Sequence, residues 1–500
     1  MTNNPLNLDE SAEWAGLWWL PEEPDKRVPG TLRYDGEGHV TLSIIGAFEN
    51  RITSNPAPGL TLYHEGTRTW DVIHGVAEQR EITLLDCVPT KGKRSIFSRV
   101  KSPDTQTITA MIAIIGAHIS GEDDAAFATA EVSIEDLWLW AASPALEAFL
   151  NTSEGKIDGS WALSSKPVEE QLVTVDGTEY SLAHTQTLPF FAQCKSGPVA
   201  RMRDIVSIRA CRVEPFSLRG ALKTASLIQD LIALATHRAA GVIWLQLEVA
   251  GTESVLQNNH PLPRRRADVL YSPAALGKHD AKAVDPNCVF FTCDSIPFEE
   301  IVPRWCEAHD QLQPAINMIM GLRYAPARFI ENNLLTAVGA AEVLHRNLHI
   351  DEEPFLEAEF TEMRDAMLDQ VPEEYRGRFK AMIRNDPTLR DRLCALGARP
   401  DSEAIAQLVP DVDHWAKRTA RARNDLAHEG RTPTHSIDEL FAIVEVTTAI
   451  VILNVLHEIG LSADLQRQIV REHPQLRMVS QKAREWLVVP KPSSSEIQTL

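Results

Sequence analysis

The hydrophobic periodicity of this chain changes once, around Pro297 to Pro303, and no single architecture accommodates both sides of that change. Upstream, β-branched runs such as His39–Ile45, Thr69–Gly75, Glu81–Cys87 and Thr109–Ile115 are separated by Gly, Pro, Asn and Asp. Short runs between turn residues predict an antiparallel β domain from residue 14 to about 150. Downstream, from Trp305 onward, apolar residues recur at helical spacing and strand-like alternation nearly disappears. The expected fold class is therefore α+β multidomain: a β-rich N-terminal region followed by an all-α helical bundle. Three segments are expected, a β-rich domain over 1–133, a second α+β unit over 134–303 and a helical domain over 304–500.

The second unit opens at Ile134–Trp140 and holds a hairpin signal, Asp176–Gly177, between Val173–Val175 and Thr178–Leu182. Ile205–Val213 and Val242–Val249 read as strands on either side of an amphipathic helix over Ser217–His237. The triplet Arg264–Arg266, after Pro261 and Pro263, reads as an exposed basic loop, with nucleic-acid contact as the alternative. Trp18 and Trp19 are expected in the core rather than as a ligand platform. Helical periods cover Phe329–Leu348, Phe355–Val371, Glu374–Arg384, Thr388–Leu396, His414–His428, Ile437–Ile459 and Ala463–Val470. Ser436 with Glu439 three residues later is a capping-box signature ahead of the apolar run Leu440–Val455. Such a stripe must be buried, in the bundle and in part against a second protomer.

Charge and composition narrow the function. A formal net charge of -20 would make the chain as a whole repel a polyanion. Yet Lys417, Arg418, Arg421 and Arg423 follow one another with no acidic residue between Asp413 and Asp425, a local basic island where a polyanion could bind. The first ten residues have neither a basic nor an apolar leader region, and Phe441–Leu456, interrupted by Glu445, Thr447, Thr448 and Asn454, falls short of a membrane span. A cytoplasmic protein without a membrane partner is expected. Seven scattered cysteines fit a reducing compartment better than a disulfide framework. Cys288, Cys293, Cys306 and His309 are four potential zinc ligands in a short span. However, the strand-like run Val289–Thr292 would send the first two thiols to opposite faces, and inert buried cysteines are expected there instead.

The sharpest chemical signal is Arg423-Asn424-Asp425-Leu426-Ala427-His428, which closes a helical segment before Gly430. On an α-helix Asn424 and His428 share a face, while Arg423 sits about 140° around from His428, so that either it reaches round with its long stem or the helix is irregular near it. Histidine exchanges a proton near neutral pH, and a guanidinium holds a phosphate through two parallel hydrogen bonds. The set suits phosphodiester chemistry, although the same spacing also describes an ordinary solvated helix face. On the helix Phe329–Leu348, Ile330, Leu334, Ala337, Ala341 and Leu344 form the expected buried stripe. Glu342 lies on its flank, either as a solvated boundary residue or in reach of the motif.

This hexapeptide resembles the Arg-Asn-x3-His motif of HEPN domains. Gly16-Leu17-Trp18-Trp19-Leu20-Pro21, with Val28–Leu32 and Leu42–Gly46 after it, resembles the N-terminal domain of ApeA-type anti-phage proteins, which place a HEPN nuclease at the C-terminus. The resemblance implies an abortive-infection endoribonuclease cleaving cellular RNA, tRNA among it, by metal-independent attack of the ribose 2′-hydroxyl, with no cofactor. It implies catalytic roles for Arg423, Asn424 and His428, with Glu342 in support and Lys417, Arg418 and Arg421 holding RNA. It further implies a homodimer through the helical domain and an unknown phage-derived trigger, with the N-terminal region as sensor or brake. HEPN domains also occur as non-catalytic RNA- or nucleotide-binding dimerisation scaffolds, which is the alternative.

Overall fold

The computed structural model describes residues 4–49, 51–57, 60–93, 102–153, 156–187, 189–251, 264–350 and 354–487. The chain divides into two compact units, Met1–Val284 with Phe291–Pro303, and Asp285–Phe290 with Arg304–Leu500.

The first unit is built on strands β1 (Ala12–Trp19), β2 (Val28–Tyr34), β3 (Val40–Ile45), β4 (Arg51–Ala57), β5 (Leu60–Thr67), β6 (Trp70–Ala77), β7 (Arg80–Lys93), β8 (Thr105–Ala110), β9 (Ile112–Ile115) and β10 (Phe127–Ile134). They continue as β11 (Leu146–Ser153), β12 (Lys156–Ser165), β13 (Gln171–Val175), β14 (Thr178–Gln186), β15 (Phe190–Cys194), β16 (Gly197–Arg201), β17 (Asp204–Phe216), β18 (Val242–Val249) and β19 (Arg266–Leu270). Thirteen of these form one sheet, in the order β13-β14-β17-β10-β18-β19-β9-β7-β6-β1-β2-β3-β8.

One end of that sheet closes on itself. The long strand β7 pairs with β6 through Arg80–Cys87 and with β8 from Val88 onward, so β7, β6, β1, β2, β3 and β8 make a six-stranded barrel. The partner changes beside Asp86, held at φ +50°, the local kink that closure of a barrel requires. Trp18, Leu32, Leu42, Ile73, Leu84 and Ile108 fill the interior with no exposed surface. A Cβ on Gly75 would stand 2.2 Å from the Trp18 ring, so only glycine admits the indole there. Both tryptophans are core: Trp18 Nε1 donates to Gly30 O at 3.1 Å, and Trp19 packs edge-on against His74 and His118.

Residues 1–133 and 134–303, expected as separate units, share this sheet. The fully buried β10 pairs on one side with β17 and on the other with β18, and β19 joins β9. Periodicity reports which face of a strand is buried and is silent on its neighbours. The turn Asp176–Gly177 links β13 to β14 with both residues at positive φ, as a tight two-residue hairpin needs. Helix α1 (Leu137–Ala141) occupies part of the segment that opened the second unit, and α2 (Leu218–Thr236), capped by Ser217, packs on β10, β17 and β18. The arginine triplet is not a free loop: Arg264 and Arg266 pair with Glu248, and Arg265 with Glu81 at 2.6 Å. Pro261 and Pro263 lie outside the described residues.

Helix α3 (Phe298–Tyr324) begins in the first unit and continues into the second. The second unit then holds α4 (Ile330–Asn347), α5 (Glu357–Asp369), α6 (Glu373–Met382), α7 (Leu389–Ala398), α8 (Ser402–Leu408), α9 (Val412–Glu429), α10 (Ile437–Glu458), α11 (Ala463–Glu472) and α12 (Pro474–Trp486). Helices α3, α8 and α12 have no counterpart among the expected periods, the first of which begins at Phe329. The expected strand Val289–Thr292 does not form: a 3-10 turn over Pro286–Cys288 precedes irregular chain in which Phe290 and Phe291 are buried.

Helix α10 is the hub of the bundle. The predicted box is present, with Ser436 Oγ accepting from Glu439 N and the Glu439 carboxylate from Ser436 N. α10 is apolar around its circumference and packs against α4, α7, α9 and α12. Its full span, Ile437–Glu458, is long and apolar enough to cross a membrane, contrary to the reading of the shorter run, because the helix extends beyond both ends of that run. In this fold 83% of its most apolar window is buried within the protein. Its stripe is covered by helices of its own chain.

Candidate active site of the helical unit

The motif lies in the last two turns of α9. Asp411 caps the helix by accepting from His414 N, and Gly430 ends it at φ +68°. Trp415, Ala416, Thr419 and Ala422 anchor one face in the bundle. Around the helix, Lys417, Arg421, Asn424 and His428 then fall within an arc of about 60°, and all four are exposed. Two flanking positions point to neighbouring helices, Arg423 to α4 and Arg418 to α10.

Arg423 is where the elements converge. Its Nη2 stands 3.3 Å from Glu342 Oε1 of α4, and its Nη1 donates to Asn424 Oδ1 at 3.3 Å. The guanidinium thus bends back to the exposed stripe from a regular helix, the first of the two expected arrangements. Glu342 is held in place by the stripe around it: Leu334, Ala337, Ala341 and Leu344 are buried as expected, while Ile330 is only half-buried. The carboxylate is 18% exposed and has a second, longer neighbour in Arg346 at 4.0 Å. His428 has no hydrogen-bond partner among the described residues and faces solvent.

The basic island is divided by its surroundings. Lys417 is exposed with no ion pair among the described residues, and Arg421 lies 3.8 Å from Asp425 on its own helix. Arg418 is engaged by Glu439, the capping-box acid of α10, and reaches the Thr434 carbonyl. Sequence reasoning missed two groups here. Asp425 accepts from Thr434 Oγ1 at 3.3 Å, and His435 is half-buried beside Thr434, its imidazole held below its ordinary range by burial and then by Arg418. His435 sits in a loop between breakers, where no periodicity marks a burial side.

Cys288, Cys293, Cys306 and His309 are not gathered into a ligand set. The one group of three or more potential metal ligands among the described residues is Asp35, Glu37 and His39, all exposed. Burial, with Glu299 and Asp294 adding to it, pushes the Cys293 thiol up to about 12, the mark of an inert cysteine.

A β-rich region joined to a helical bundle whose motif helix ends in Arg-Asn-x3-His defines a protein of the HEPN-containing class. Residues 13–305 match the family model of ApeA N-terminal domain 1, and residues 335–465 match that of the Apea-like HEPN domain. The first match alone spans 305 − 12 = 293 of the 500 residues, and the chain belongs to this family of HEPN-type defence proteins. No curated protein and no solved structure matches the chain. HEPN domains are generally ribonucleases, and the motif helix lies inside the matched segment.

Proposed function

We propose that the helical unit is an endoribonuclease and that Arg423, Asn424 and His428 carry its chemistry. One observation supports this above all: the Arg423 guanidinium is tethered between Glu342 and Asn424 at the edge of an exposed stripe that ends in His428. His428 takes the proton of a ribose 2′-hydroxyl as that oxygen attacks the adjacent phosphorus. Arg423 neutralises the charge that builds on the phosphoryl oxygens, and Asn424 orients the phosphate. The phosphorus–5′-oxygen bond then breaks and the 5′-oxygen takes up a proton from water, giving 2′,3′-cyclic phosphate and 5′-hydroxyl ends. None of these steps calls for a metal ion.

Lys417 and Arg421, on the same stripe, hold the RNA backbone, and Arg418 contributes by fixing the loop that carries Thr434. A homodimer of helical units would place two motifs against one substrate. In the family's defence role the substrate is cellular RNA, with tRNA the class to test first, and the N-terminal unit acts as sensor or brake for a phage-derived trigger. The deciding experiment incubates total tRNA with the purified protein in chelator, beside His428→Ala, and maps the ends. Cleavage with cyclic-phosphate ends, lost in the variant, is expected. RNA bound but left intact by both proteins would instead favour a binding scaffold.

A further inference from the structure

Outside the helical unit, three side chains from three separate elements form a hydrogen-bonded chain. Ser143, in the loop after α1, places its Oγ 3.1 Å from Nε2 of His184 on β14. His184 Nδ1 lies 2.9 Å from Oδ2 of Asp204, the first residue of β17. Hydroxyl, imidazole and carboxylate in that order are nucleophile, base and orienting acid. A carboxylate only accepts, so Nδ1 carries the imidazole proton, and Nε2 of the neutral ring offers its lone pair to the serine O–H.

The surroundings shield the pair from water. The His184 side chain is 3% exposed and that of Asp204 13%, so the pair is poorly screened by water. Asp204 has no other ion pair among the described residues, and its Oδ1 is buried without a hydrogen-bond partner. The serine is presented by a strained turn: Ala142, just before it, sits at φ +53°, ψ 19°, the left-handed region that favours glycine. Ser143 itself is half-buried and the following Pro144 is exposed, so the hydroxyl is within reach of a ligand.

We propose that Ser143, His184 and Asp204 form a second reactive centre, an acyl-transfer site for carboxylic esters. Ser143 Oγ bonds to the ester carbonyl carbon while its proton passes to His184 Nε2. The carbon–oxygen bond to the alcohol then breaks, and the alcohol leaves with that proton. Water, deprotonated by His184, then bonds to the acyl carbon; the carbon–Oγ bond breaks, Oγ takes that proton back from His184, and the acid leaves. The centre lies wholly in the N-terminal unit and is independent of the ribonuclease reading.

The test treats the full-length protein with a fluorophosphonate probe and locates the adduct by peptide mass mapping, with p-nitrophenyl acetate as a second acyl donor. One adduct at Ser143 is expected, absent in Ser143→Ala and formed at least about 100-fold more slowly in His184→Gln. Failure of the wild type to label, or labelling at an equal rate in folded His184→Gln, would reduce the trio to a structural tie and overturn the proposal. Should His184→Gln not fold, the pH profile of wild-type labelling decides. A rate that falls on acidification, as the base takes up a proton, supports the centre; a flat profile overturns it.

Discussion

Glu342→Gln isolates the tether on Arg423, because it removes the charge and keeps the shape. Two unit charges at the observed 3.3 Å attract by about 5 kcal/mol at an effective dielectric of about 20. Arg423 is 35% exposed, so solvent screening and the entropy of its long side chain reduce the net value to about 1 kcal/mol. That energy corresponds to roughly a fivefold loss of the tethered arginine conformer. Single-turnover cleavage of end-labelled tRNA at saturating protein should therefore slow about fivefold, while KM falls slightly because the site gains one net positive charge. Arg423→Lys should be worse than Glu342→Gln, since an ammonium cannot hold Glu342, Asn424 and phosphate in a planar fork. A variant cleaving at the wild-type rate would refute the tether. One as inactive as Arg423→Ala would show that the carboxylate does more than position.

His428→Ala should lose about 10²–10⁴-fold in cleavage. Its unfolding free energy should stay within about 0.5 kcal/mol of wild type, because the side chain is exposed, as a urea titration beside the kinetics will show. Asn454→Ala should cost about 2–3 kcal/mol, read as a lower urea midpoint of the helical unit. The fully buried amide donates to Leu396 O at 3.0 Å and Ile450 O at 2.8 Å, tying α10 to α7. Acid should weaken the same unit. Burial lowers His435 and His473, helped by Arg418 and Arg323 respectively, below the ordinary imidazole value of 6.5. The unfolded chain then protonates first as pH falls, so stability is complete above about 6.5 and declines below it. Urea midpoints across that range, flattened in His473→Gln, check the sign.

What the sequence made legible was local. The capping box at Ser436 and Glu439 and the stop at Gly430 span a few residues, and each formed as read. The Asp176–Gly177 turn did too, because its φ preferences belong to the dipeptide itself. The reach of Arg423 back toward Asn424 was one of the two outcomes that helix geometry left open. Partner choice was hidden. Nothing in β7 announces that its two halves pair with different strands, nor that β10 would draw both expected β-rich segments into one sheet. The division of labour among Lys417, Arg418 and Arg421 depended on acids elsewhere on the helices, Glu439 above all. Ser143, His184 and Asp204 are separated by 41 and 20 residues, beyond any motif spacing.

The barrel settles where the large sheet can still grow. One end of the strand order is consumed by closure of β8 onto β7, so its edge is already satisfied. The opposite end is β13, which among the described residues pairs with β14 alone and leaves one row of amides and carbonyls without a ladder partner there. This margin is five residues long, carries the half-exposed Leu172, and stops at a hairpin turn. An extended peptide that joined the sheet by strand addition would have to dock there, in a register about five residues long. A lysine at position 172 is the smallest change that would close this last open seam.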